Sequence, residues 1–106
     1  MDNFQAIYKI LRYLEAAMDL QEADLTQIGA DIVGVSKERW KRYIMMLEDA
    51  GYIKGIRVYT DVTGATHIED DGVRITLKGL EYLTENSIMQ RLYKAARGIK
   101  EIVPMI

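Results

Sequence analysis

A chain of 106 residues, 49% hydrophobic and 28% charged, is long enough for one domain with a real core, too short for two, and too well balanced for disorder. Its formal charge of −2 and pI near 5.4 argue against indiscriminate binding of polyanions, and the absence of cysteine excludes disulfides, thiolate zinc sites and thiol redox chemistry. Apolar runs are short, and Lys9, Arg12 and Glu15 interrupt the N-terminal segment, so neither a signal peptide nor a membrane span is expected and the expected location is cytoplasmic.

Asp2 or Asn3 caps a first helix in which Phe4, Ile7, Tyr8, Leu11, Leu14 and Met18 trace an apolar stripe to about Asp19. A short second helix opens at Glu22-Ala23-Asp24, turns Leu25, Ile28 and Ile32 inward, and ends near Gly34. Gly29 inside it costs about 1 kcal/mol relative to alanine and so marks close helix packing. Val33-Gly34-Val35 then leaves the spacing of a helix-turn-helix before the next cap, Ser36.

The third helix, 36–50, is the best defined, with Ser36 as N-cap and Gly51 as its stop. Trp40, Tyr43, Ile44, Leu47 and Ala50 form its inward stripe, while Glu38, Arg42, Met45 and Asp49 face outward, flanked by Lys37, Arg39, Lys41 and Met46. Its cations crowd the first two turns, and Glu48 and Asp49 occupy the last. Both ends oppose the helix dipole, at about 0.3–1 kcal/mol per charge. Stability alone does not select this order, whereas a recognition helix needs cations at its N-terminal half for phosphates and base edges.

After Gly51 the pattern becomes extended. Residues 52–59 form a strand with Ile56 and Val58 on one face, Arg57 and Tyr59 on the other, and Gly55 as a bulge. Asp61-Val62-Thr63-Gly64 is a turn, residues 65–69 a short returning strand, Asp70-Asp71-Gly72 a second turn, and residues 73–76 a last strand with Val73 and Ile75 inward. Thr76 caps a helix with Leu77, Leu80, Tyr82 and Leu83 inward, ending near Asn86. Ser87 caps another, lined by Ile88, Leu92, Ala95, Ala96, Ile99, Ile102 and Val103 and stopped by Pro104. The order predicts an α+β winged helix-turn-helix: three helices, a small antiparallel β-wing and two further C-terminal helices. Residues 1–86 form the winged domain, and residues 87–106 a C-terminal helix that packs or dimerises. Phe4, Leu11, Ile28, Trp40, Ile44, Leu47, Ile75, Leu80 and Leu83 are expected to share its core.

Phe4 with Ile7 and Leu11, Trp40 through Leu47, Gly51-Tyr52-Ile53 and the run Ile75 to Ser87 together resemble the YjcQ-like family, small winged-helix proteins of Gram-positive bacteria and their prophages, over nearly the whole chain. The Thr76-x-Lys78-Gly79 corner is similar to the strand-to-helix junction of many winged-helix repressors. The resemblance implies a winged-helix fold, with DNA binding inferred from that fold.

Charge is segregated along the chain. Residues 36–59 hold six cations against Glu38, Glu48 and Asp49, whereas residues 60–72 hold Asp61, Glu69, Asp70 and Asp71 without a lysine or arginine. Any polyanion contact is therefore local. The expected function is transcriptional regulation through double-stranded DNA, with Lys37, Arg39, Lys41 and Arg42 in the groove and Lys54, Arg57 and Arg74 near phosphates. The acidic loop from Asp61 to Asp71 counts against a wing contact. The competing class is a protein-interaction module that uses Met45 and Met46 as an adaptable apolar surface. A homodimer through the last helix is expected, because the stripe of Ile88, Leu92, Ile99 and Ile102 must be hidden.

Catalysis is not expected. One histidine, no cysteine and no carboxylate pair on an apolar face leave no enzyme site, cofactor, metal or small-molecule ligand to assign. His67, Glu69, Asp70 and Asp71 fail the calcium-loop template, because Thr66 and Gly72 stand where glycine and glutamate belong relative to Asp61. Gly29 to Ser36 has the glycine spacing of a phosphate loop without its lysine. The tyrosines read as core or rim, except Tyr59 beside Arg57.

Overall fold

Ala6, Ile10, Leu11 and Leu14 are buried along one side of the first helix, α1 (Asn3–Ala16), as its three- and four-residue spacing requires, and a 3₁₀ turn (Ala17–Asp19) closes it. The computed structural model describes residues 3–96, with side-chain surroundings for residues 3–86. A second 3₁₀ turn (Leu25–Ile28) leads to a one-turn helix, α2 (Ala30–Val33), then α3 (Lys37–Asp49), β1 (Ile53–Thr60), β2 (Thr66–Ile75) and α4 (Leu77–Ala96). The class is α+β, with four α-helices and one two-stranded antiparallel sheet among the described residues. α1 packs against α2, α4 and β2, and α3 against α2 and β1, so the core lies between the helices and the base of the hairpin. Leu11, Ile28, Ile44, Leu47, Ile75 and Leu83 are buried in it, with Trp40 and Leu80 half-buried against it.

Several expectations need correction. Phe4 is 70% exposed, because it sits on the first turn of α1 beside a groove rather than beneath a partner helix. Met18 belongs to the 3₁₀ turn, where the α-helical period no longer applies, and it is exposed. Leu77, 74% exposed, is the first residue beyond the Thr76 cap, and Ile75 and Leu80 take the inward places on either side. The second helix is broken at Gly29, whose φ of −69° and ψ of 174° are extended. Asp24 Oδ1 accepts from Thr26 N at 3.0 Å to start the 3₁₀ turn, and Gly29 O accepts from Val33 N at 3.0 Å to start α2. The break shifts the helical phase, so Val33 is buried and Ile32 exposed. Gly29 is a joint, not a packing contact.

Asp70-Asp71-Gly72 is no turn either. β2 is continuous, and the register passes from Lys54↔Arg74 to Ile56↔Asp70, so Gly55 faces Asp71, Gly72 and Val73 in a bulge. Gly55 (φ 91°) and Gly72 (φ 84°) are both left-handed, and a Cβ on Gly55 would lie 2.2 Å from Gly72 O. Nor does a helix end at Asn86. Thr84 Oγ1 donates to Leu80 O at 3.2 Å and Asn86 Nδ2 to Tyr82 O at 2.9 Å, so these polar side chains bond back along one uninterrupted α4. The stripe from Ile88 to Val103, and the dimer expected of it, lies outside the described side chains.

The corner between β2 and α4 is built as its sequence suggests. Thr76 Oγ1 donates to Gly51 O at 2.5 Å and accepts from Gly79 N at 3.1 Å, while Thr76 N donates to Tyr52 O at 3.0 Å. Gly79 is buried against this corner, and a Cβ there would lie 2.4 Å from Tyr52 O and 2.6 Å from Ile75 Cγ1. Gly79→Ala should therefore destabilise by about 1–3 kcal/mol in chemical denaturation despite alanine's higher helix propensity. A neutral or stabilising result would show that the corner relaxes freely.

Candidate nucleic-acid interface

α3 is fixed along its length. Gly34 takes a left-handed conformation (φ 86°) that ends α2, and Ser36 Oγ accepts from Arg39 N at 3.1 Å to cap α3. Trp40 Nε1 donates to Ile28 O at 2.6 Å, tying the helix to the preceding 3₁₀ turn. On the other flank Asn3 Oδ1 accepts from Tyr43 OH at 2.6 Å and from Arg39 Nη1 at 2.9 Å. The sequence offers Asp2 or Asn3 as the cap of the first helix, and Asn3 is the first residue of α1. Its role as a bridge between α1 and α3 joins residues far apart in the chain, and no local pattern announces it.

The cations singled out from the sequence do not converge on one patch. Lys37 and Lys41 line a groove between α3, the α2 segment and β2, where Trp40, Leu25 and Ile68 are also found. Lys41 is 21% exposed and pairs with Glu38 at 3.2 Å. Arg39 and Arg42 line a second groove, between α3 and the start of α1. Arg42 and Lys37 are exposed and have no ion-pair partner among the described residues. Lys54 and Arg74 stand directly opposite one another at the base of the hairpin, both exposed, with Arg74 Nη1 donating to Gly72 O at 3.1 Å. Arg57 is committed to Glu69, its cross-strand partner, and lies 5.7 Å from the Tyr59 ring centre. That pairing raises the Arg57 pKa and lowers that of Glu69.

Asp61, Glu69 and Asp70 are engaged within the hairpin. Asp61 accepts from Thr63 Oγ1 (2.5 Å), Thr63 N (2.8 Å) and Ala65 N (3.1 Å), and His67 Nε2 lies 2.6 Å from its other oxygen. Bonds from Thr63 first, then His67 and the Ala65 amide, hold this carboxyl well below the usual aspartate range. Asp70 accepts from Gly72 N and Val73 N at 3.0 and 2.9 Å and so shapes the bulge. These bonds give the carboxylates a structural role and hold Asp61 in its charged form, so the negative charge of the hairpin remains, offset at Glu69 by Arg57. His67 stacks on Tyr59, with ring centres 5.1 Å apart and planes at 24°, and Val62 is fully exposed at the tip. Of the methionine pair expected to form an apolar surface, Met46 is exposed and Met45 half-buried.

A family model described as YjcQ protein matches residues 8–102. The chain belongs to the YjcQ family. It is similar to the Bacillus subtilis (strain 168) protein described as "Uncharacterized protein YjcQ", with 29% identity over 76 residues that cover 72% of this chain and 78% of the relative. The span matched by the family model takes in α3, the hairpin and all of α4, whereas Asn3, Phe4 and Ile7 precede it.

The Asp61 geometry has a measurable consequence. A carboxylate depressed by folding stabilises its surroundings above the ordinary pKa and ceases to do so as pH falls through the folded value. The Thr63 and Ala65 amide resonances should show no transition in NMR spectra centred at about pH 4, where an ordinary aspartate is half protonated. Asp61→Ala should displace both at neutral pH. Movement of the wild-type resonances with a midpoint at the ordinary aspartate value would contradict the hydrogen-bonded tip.

Proposed function

We propose that the chain is a winged helix-turn-helix protein that binds double-stranded DNA and regulates transcription, with α3 entering the major groove and the β1–β2 hairpin as the wing. Support comes from cations placed where folding itself disfavours them. Lys37 is the first residue of α3, against the dipole, and Lys54 faces Arg74 across the sheet, where like charges repel. A polyanion relieves both conflicts. The tight Gly34 turn and the Ser36 cap set α3 in place before any ligand arrives, so little ordering opposes binding. The contact set is led by Lys37, Arg42, Lys54 and Arg74, with Arg39, Lys41 and Arg57 behind them because each already bonds another side chain, whereas Arg74 bonds the Gly72 carbonyl.

Fluorescence anisotropy with labelled duplex DNA tests this. Wild-type protein should bind at low salt, and affinity should fall steeply as salt rises. Lys37→Glu with Arg42→Glu should abolish binding while the melting temperature holds or rises slightly, because glutamate in the first turn gains about 0.3–1 kcal/mol from the dipole. Loss of either Lys54 or Arg74 should flatten the slope of log affinity against log salt by about one. Absence of duplex binding by the wild type at low salt would remove the proposal.

A further inference from the structure

Two exposed apolar clusters lie at opposite ends of α1, and their charges are complementary. At the N-terminal end, Phe4 and Met46, the latter 51% exposed, border a groove of about 530 Å³ over Ile7 and Tyr43, with Arg39, Arg42 and Glu38 on its rim, Glu38 being offset by Lys41 at 3.2 Å. At the other end Met18 and Leu20, each 59% exposed, project from the corner that follows the helix, with Asp19 and Glu22 beside them. Neither carboxylate has an ion-pair partner among the described residues. Clustered apolar side chains of this size in water mark a contact surface.

We infer that two copies of this chain associate reciprocally, the Met18–Leu20 corner of each seating in the Phe4–Met46 groove of the other. The two patches are separated by the length of α1, about 21 Å for its 14 residues at 1.5 Å each. A two-fold axis across the helix direction brings the groove end of one copy to the corner end of its partner twice over, so the assembly closes as a dimer rather than growing into a filament. Apolar burial supplies the attraction. Pairing of Asp19 and Glu22 with Arg42 and Arg39 sets the orientation. An acidic apolar segment of another protein satisfies the same groove, but this chain carries the matching surface itself. Asn3, which locks Tyr43 and Arg39 in place, keeps the groove open without a partner. The inference does not depend on DNA binding, although Arg42 belongs to both surfaces and the two associations would compete for it.

Sedimentation equilibrium of the full chain without DNA is the test. The wild type should pass from monomer to dimer with rising concentration, and less readily as salt increases. Phe4→Glu, and Met18→Glu with Leu20→Glu, change only exposed side chains, so circular dichroism should remain native while dimerisation weakens about tenfold or more. An equimolar mixture of those two proteins retains one good groove and one good corner and should recover part of the association. Reversal of Arg42 alone, or of Asp19 and Glu22 together, should weaken the dimer, and all three reversals in one chain should restore it. A wild type that stays monomeric at low salt, a dimer indifferent to Phe4→Glu, or a failed charge-swap rescue would each overturn the inference. A monomer that instead captures an acidic peptide would assign the groove to a different protein.

Discussion

The Thr76 hydroxyl holds together the parts of the chain that matter most to its shape. It donates to the carbonyl that follows α3 and accepts from the third residue of α4, while the Thr76 amide donates to Tyr52 O. Four elements therefore meet at one residue: the end of α3, the start of β1, the end of β2 and the start of α4. Gly79 lets α4 approach that carbonyl closely, and the Tyr52 and Tyr82 rings, 4.9 Å apart, close over the same region. Burial raises the Tyr82 pKa, consistent with a phenol drawn out of water. The direction of α3 relative to the hairpin follows from this corner. A few hydrogen bonds of modest net strength suffice because each missing partner would strand a polar group in the packed corner.

With its far end fixed there, α3 is secured near its start by Trp40 on one side and Asn3 on the other. Lys37 and Arg42 remain outward, beside different grooves and without an ion-pair partner among the described residues. The hairpin obeys a different economy. Asp61, Asp70 and Glu69 bond backbone amides, a histidine and an arginine, and the fold gains a shaped ribbon from them. Counting charges along a sequence assigns the same weight to Asp61 and to Asp71. Hydrogen bonding distinguishes them, since Asp61 is surrounded by donors.

Much of the fold was legible because periodicity and caps agree where the chain is most regular. The buried side of α3 at Tyr43, Ile44 and Leu47, though not at exposed Ala50, the Ser36 cap, the Gly55 bulge and the Thr76–Gly79 corner all follow from local residue types. Elsewhere local signals competed with packing. Gly29 reads as a mark of close packing inside a helix, but Asp24 and Thr26 favour a 3₁₀ turn that ends there. Asp70-Asp71-Gly72 has the composition of a turn, yet pairing with β1 continues past it because two left-handed glycines meet across the strands. Phe4 carries the apolar stripe one turn beyond the core it was assigned to. At the site, residue types were visible and their partners were not. No spacing rule reveals that Arg39 reaches Asn3 or that Arg57 reaches Glu69.

The paired glycines of the hairpin do more than bend it. Below them Ile53 and Ile75 point into the core, and beyond Gly55 the inward positions on β1 pass to Ile56. Odd-numbered residues of β1 face inward before the bulge and even-numbered ones after it. The bulge thus acts as a parity switch, and it is what turns Arg57, Tyr59 and His67 toward solvent instead of the helices. The far half of the ribbon is consequently free to change length in two-residue steps without disturbing the core. A one-residue insertion or deletion between Gly55 and Arg57 would invert the faces of β1 beyond it, driving the guanidinium and phenol sides inward and turning Val58, already 39% exposed, fully outward.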